Sequence, residues 1–254
     1  MAYFQIASHR GRAISNRMNL SRISIPAGRV TVSGLTYTPD AAPRLCVVLA
    51  HGYTSSKASM DILAAYLCGR GYGCVTFDFR GHKLGGSTGT LDSMADAIED
   101  LRSAAQFGMG HFGLHSCVLV GHSMGALVGF GVAADDPRVA AVAAIATGPK
   151  PSAAFTSVAG AAMLAQRAAY VDGAEPQRLL EQMDVLADAV ERFGNRPALF
   201  VAARGDVLVR ADRLREMALR AGPRAEFVEI DGSHLEAPDR ARGAVANWLD
   251  RWAQ

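Results

Sequence analysis

The chain has 254 residues, half of them hydrophobic, and a net charge of +2. That is enough apolar material for one domain with a large core, and the scattered arginines and only three lysines (Lys57, Lys83, Lys150) form no basic block of the kind that tracks nucleic acid. No window reaches the roughly 20 apolar residues of a membrane span, and Met1 to Arg10 lack a signal-peptide core, so the expectation is a cytoplasmic protein that engages neither membrane nor nucleic acid.

Residues 1–20 are polar and read as an irregular segment. Ser21 to Pro26 and Val30 to Tyr37 alternate and are β-branched, which predicts two strands joined through Ala27-Gly28-Arg29, too tightly for anything but an antiparallel pair. Leu45 to Ala50 is a continuous apolar run, the mark of a strand buried on both faces. A helix is predicted from Met60 to Arg70, stopped by Gly71, then a buried strand from Gly73 to Phe77. Leu91 to Phe107 has helical period. Ser116 to Val120 reads as a strand, and the small residues Ala126 to Ala134 as a helix. Between the two lies Gly121-His122-Ser123-Met124-Gly125. Val139 to Ala146, Ala198 to Ala203 and Ala225 to Ile230 are further strands, with helices predicted over 210–221 and 236–252. Strands alternating with helices imply an α/β fold: about eight strands, mostly parallel, covered on both faces.

One stretch breaks the alternation. Residues 149–196 read as two helices, 152–169 and 176–193, placed between two core strands and adding none. The expected organisation is therefore a core of residues 21–148 and 197–254, with 149–196 inserted as a helical lid over the carboxyl edge of the sheet. The four cysteines, Cys46, Cys68, Cys74 and Cys117, sit mostly in apolar segments and read as reduced core residues rather than a disulfide framework or metal ligands. Nothing in the sequence calls for a metal or a cofactor.

Strand, sharp turn and helix around Ser123 form the context of a nucleophile elbow. A serine hydroxyl needs a base, and the base a carboxylate that fixes its tautomer. Among seven histidines, His234 stands out: Asp231-Gly232-Ser233-His234 falls between the last strand and the last helix, on the sheet edge that carries Ser123. His51 reads as a brace for its own loop. His122 should point away from the elbow. His111 and His115 read as solvated loop residues. The acid is expected one strand earlier, in Arg204-Gly205-Asp206, with Asp212 and Asp231 as weaker candidates. Two preorganised N–H groups would complete the arrangement, from Met124 and from Tyr53 in His51-Gly52-Tyr53-Thr54-Ser55-Ser56.

These motifs, with Asp78-Phe79-Arg80-Gly81-His82, resemble those of the α/β-hydrolase superfamily over about residues 20–252. His51 to Lys57 is similar to the same loop of compact bacterial carboxylesterases of the cinnamoyl and feruloyl esterase kind. Lys83 stands where that family has a second glycine, which should reshape the loop Lys83-Leu84-Gly85-Gly86-Ser87. The resemblance implies a serine hydrolase acting on a small-molecule carboxylic ester through an acyl-enzyme. A thioesterase or acyltransferase with the same triad is the alternative, and a non-catalytic binding protein on this fold a further one. Phe155 and Met183, with Tyr53, are the expected substrate-binding residues.

Overall fold

Central strands with apolar side chains on both faces need cover on both sides, and the order of elements supplies it. In the computed structural model, residues 18–252 are described. Strands β1 (Met18–Ala27), β2 (Val30–Pro39) and β3 (Cys46–Ala50) lead into α1 (Asp61–Gly69) and β4 (Gly73–Phe77). Then come α2 (Met94–Phe112), β5 (Cys117–His122), α3 (Met124–Asp135) and β6 (Val139–Ile145). The next segment holds α4 (Val158–Ala168), α5 (Pro176–Leu186) and α6 (Ala189–Arg192). The chain closes with β7 (Ala198–Ala203), α7 (Ala211–Arg220), β8 (Ala225–Ile230), α8 (Ala237–Arg240) and α9 (Arg242–Trp252).

The eight strands form one sheet in the order β1-β2-β4-β3-β5-β6-β7-β8. β1 and β2 pair antiparallel, as does β2 with β4, and the remaining neighbours are parallel. This is the α/β-hydrolase fold. Successive residues of β3 serve opposite cores: Cys46, Val48 and Ala50 on one face, Val47 and Leu49 on the other. Each fully buried valine or leucine contributes about 1.5–3 kcal/mol, so both layers are needed to hold the sheet.

Several boundaries differ from the sequence reading, for local reasons. β1 begins at Met18, opposite Pro39, so the last three residues of the stretch expected to be irregular are strand; residues 1–17 lie outside the described residues. α2 starts at Met94, behind a capping box of Ser93 and Asp96, and runs on to Phe112. It continues through Gly108 because that glycine lets the helix meet β3: a Cβ there would stand 2.9 Å from the Cys46 sulfur. The helix expected over 152–169 is a 3-10 turn (Pro151–Phe155) followed by α4. Ser157 is extended between them and accepts the Gly160 N–H on its hydroxyl, starting the second helix. The helices expected over 176–193 and 236–252 are each divided in two.

Candidate active site

Ser123 joins β5 to α3 at φ 51°, ψ −116°. Such a conformation costs a non-glycine residue about 1–3 kcal/mol and persists only where the surroundings impose it. They do so here: the Ser123 N–H donates to the Ile145 carbonyl at 2.9 Å, and its carbonyl accepts from Ala126 at 3.0 Å. The flanking glycines are required by close approach. A Cβ on Gly121 would stand 2.3 Å from the Ala126 nitrogen, and one on Gly125 2.3 Å from the Ala50 oxygen.

The loops after β7 and β8 are tied together by Gly205 N–H donating to the Gly232 carbonyl at 2.9 Å. This brings Asp206 to His234. The Asp206 Oδ2 accepts from His234 Nδ1 at 2.7 Å, while Oδ1 accepts the Leu208 and Val209 N–H groups at 2.8 and 2.9 Å. With every one of these bonds filled by a donor, the carboxylate is fixed without being exposed. A proton on Nδ1 leaves the Nε2 lone pair of His234 free to act as a base. The two other acids considered lie elsewhere: Asp212 pairs with Arg210, and Asp231 with Arg204, both on the surface.

His122 does not point away from the site. Its Nε2 hydrogen-bonds the His234 carbonyl at 3.0 Å, and the two rings lie 4.8 Å apart. Nδ1 is buried without a partner. Burial, reinforced by the neighbouring His234, pushes the His122 pKa down to about 3, so the ring is a neutral donor rather than a second base. This contact crosses 112 positions of sequence and has no local signal. His111 is also not in a loop: it lies in α2 and stacks on Phe107, though exposed.

The loop after β3 turns between Gly52, whose carbonyl accepts from Ser55 at 3.2 Å, and Thr54, which has φ 62°. Within the described residues the N–H groups of Tyr53 and Met124 donate no hydrogen bond. His51 braces this loop: Nδ1 donates to the Gly52 carbonyl at 2.8 Å, and Nε2 accepts the Phe79 N–H at 3.0 Å. Complete burial holds its pKa far below the usual histidine range. Asp78 anchors the same region from below, accepting the Lys57 and Gly86 N–H groups and pairing with the Lys57 ammonium. Lys83, the departure noted in the sequence, pairs with Asp172, and its N–H donates to the Tyr170 carbonyl at 2.9 Å. This loop thus holds the midpoint of the 149–196 segment.

Ser123 and His234 both line a cavity of about 910 Å³. Phe155, Met163, Leu164, Leu180 and Met183 give it an apolar wall, and Tyr53 also borders it. Met183 is only 2% exposed, so it packs the core as much as it borders the cavity, whereas Phe155 is half-buried. Among the described residues no group of three or more His, Cys, Asp or Glu side chains could hold a metal ion.

Residues 41–172, just over half of the chain, match the model of a hydrolase family described as serine aminopeptidase, S33. The chain belongs to this family of serine hydrolases. It is 29% identical over 224 residues to a monoacylglycerol lipase of Mycolicibacterium smegmatis (strain ATCC 700084 / mc(2)155), covering 87% of this chain and 74% of that protein. Its fold is similar to that of a Pyrococcus furiosus esterase, with a TM-score of 0.75 at 22% identity over 93% of this chain and 92% of that one. It is also similar to the esterase domain of a Rhodothermus marinus protein, with a TM-score of 0.70 at 22% identity over 93% of this chain and 100% of that one. A thioesterase domain from the curacin biosynthetic pathway has a TM-score of 0.65 at 17% identity, over 91% and 99% of the two chains.

Proposed function

We propose that this family member hydrolyses carboxylic esters of apolar acyl groups, with Ser123 as nucleophile, His234 as general base and Asp206 as the acid that orients it. The observation that carries this reading is the 2.7 Å bond from His234 Nδ1 to a fully desolvated Asp206, in a cavity that also contains the strained Ser123. Ser123 attacks the ester carbonyl as His234 Nε2 takes its proton. The unspent N–H groups of Tyr53 and Met124 receive the oxyanion. His234 then returns the proton to the departing alcohol, and a water activated by the same nitrogen releases the acid. Residues 149–196 act as a lid, and Phe155, Met163 and Leu164 contact the acyl chain.

The size and apolar wall of the cavity favour a medium or long acyl chain, in keeping with the lipase relative. They do not favour the aminopeptidase activity of the family description. An aminopeptidase must also hold the substrate's ammonium group, and two of the three carboxylates bordering this cavity are already paired with arginines. Asp184 accepts from Ser152, Asp188 pairs with Arg220, and Glu216 with Arg213. Four free, buried cysteines, and described helices none of which is long and apolar enough to cross a membrane, support a cytoplasmic protein acting on a small molecule.

A panel of p-nitrophenyl esters from acetate to palmitate, monoacylglycerols, acyl-thioesters and aminoacyl p-nitroanilides tests this. Ester turnover rising with chain length is expected. Faster turnover of thioesters than of matched esters would transfer the proposal to thioester hydrolysis, and anilide cleavage alone would overturn it.

A further inference from the structure

Thr54 is an unusual residue for its place. The Gly52 carbonyl accepts the Ser55 N–H, so Tyr53 and Thr54 are the two central residues of a tight turn. At φ 62°, the second of them sits where glycine or asparagine is the usual occupant and a β-branched side chain is a genuine outlier. That strain is held from outside the loop. Arg167, on α4, donates from Nε to the Thr54 hydroxyl at 2.8 Å and from Nη2 to the Thr54 carbonyl at 3.2 Å. Both prongs of one guanidinium thus grip a single residue 113 positions away, next to the Tyr53 amide. The guanidinium lies over the Tyr170 ring at 5.1 Å, and among the described residues no carboxylate pairs with it.

We propose that Arg167 is a positioning residue for the oxyanion hole: by clamping Thr54 in the left-handed conformation it aims the Tyr53 N–H at the developing charge. The site is therefore competent only while α4 is seated. This rests on the reading of Tyr53 as an oxyanion donor and adds a condition to it. The planar fork of arginine is what spans hydroxyl and carbonyl together, and a lysine ammonium cannot reproduce it. Because glycine adopts φ near +60° without strain, Thr54→Gly should make the clamp dispensable.

The test measures hydrolysis of an uncharged p-nitrophenyl ester, and the rate of Ser123 phosphonylation by a fluorophosphonate, in wild type, Arg167→Ala, Arg167→Lys and Arg167→Ala in the Thr54→Gly background. Arg167→Ala is expected to lower kcat about 10- to 100-fold with KM within about twofold, and to slow phosphonylation in parallel. Arg167→Lys should stay close to Arg167→Ala. In the Thr54→Gly background the loss from Arg167→Ala should shrink to about threefold or less. A loss confined to KM, full rescue by lysine, or an equal loss in the Thr54→Gly background would overturn the proposal. Wild-type protein that neither turns over the ester nor reacts with the fluorophosphonate would instead fault the serine-hydrolase reading, which keeps the two failures apart.

Discussion

The elbow and helix α4 border the same cavity, yet they are built in opposite ways. On the elbow side, the α3 residues from Met124 to Ala133 are buried, and the flanking glycines leave no room even for a methyl group. On the α4 side, Val158 is 90% exposed, Leu164 is only half-buried, and none of the helix's described hydrophobic side chains joins the buried core. Its firm attachments are the Arg167 clamp and the backbone bonds that hold residues 170–174 to Gly81, Lys83 and Leu91. α5, in the same segment, buries Leu179, Leu180 and Met183. The difference separates two jobs. Groups that must meet within tenths of an ångström stand where the chain cannot move. The surface proposed to choose among substrates stands where sequence can change at little cost to stability.

The largest expected effect lies on the rigid side. Ser123→Ala should lower kcat on the order of 10⁴–10⁶-fold with an unchanged melting temperature. Asp206→Asn should cost about 10⁴-fold, by leaving His234 in the wrong tautomer, while Asp212→Asn and Asp231→Asn stay near wild type. A near-normal Asp206→Asn would break the comparison at its root.

Packing is the next contrast. Gly125→Ala should fail to fold or lose several kcal/mol, because its Cβ would drive into the Ala50 and His51 carbonyls. Met183→Ala should cost about 2–5 kcal/mol as a core truncation. Met163→Ala, on α4, should cost less than about 1 kcal/mol. Chemical denaturation ranks the three, and a Met163→Ala as costly as Met183→Ala would erase the difference between the halves of the segment.

Selectivity should divide the other way. Phe155→Ala and Met163→Ala are expected to shift the ratio of kcat/KM between long- and short-chain esters by about 10- to 200-fold. A uniform fall for every chain length would show that α4 and the turn before it do not choose the acyl group.

A smaller effect concerns pH. Burial, the main cause, brings His82 down to about 4 and His122 to about 3. The unfolded chain takes up these protons near pH 6.5 and the folded chain does not. Stability is therefore fully present above that value and lost as pH falls toward 4, by up to about 1.4 kcal/mol per pH unit for each histidine. Unfolding free energies at pH 7, 6 and 5 measure this, and a flat profile would contradict neutral, buried rings.

Much of the sheet side was legible because its signals are local. Continuous apolar runs mark β3 and β5 to β7, and Gly-x-Ser-x-Gly, Gly205-Asp206 and Gly232-Ser233-His234 each carry their own turn chemistry. His122 could not be placed, because its hydrogen-bonding partner is the backbone of a loop joined only by folding. Arg167 was equally silent, one arginine among many, with a role set by a contact across the cavity. Met183, expected to contact substrate, borders the cavity and also packs the core, since periodicity finds an apolar face without saying which neighbours it meets. The helix breaks at Ser157 and Ala241 fell inside stretches of unbroken helical pattern.

Ser123 as the proposed nucleophile, activated by a His234 that Asp206 holds, would leave a direct chemical trace. The most direct measurement is mass spectrometry of the intact and digested protein after brief reaction with a p-nitrophenyl ester quenched in acid, and separately with a fluorophosphonate. One acyl or phosphonyl group per chain is expected, carried by the peptide containing Ser123. It should be absent from Ser123→Ala and formed at least about 10³-fold more slowly in His234→Ala. A modification at another residue, or one that forms equally fast without His234, would contradict it.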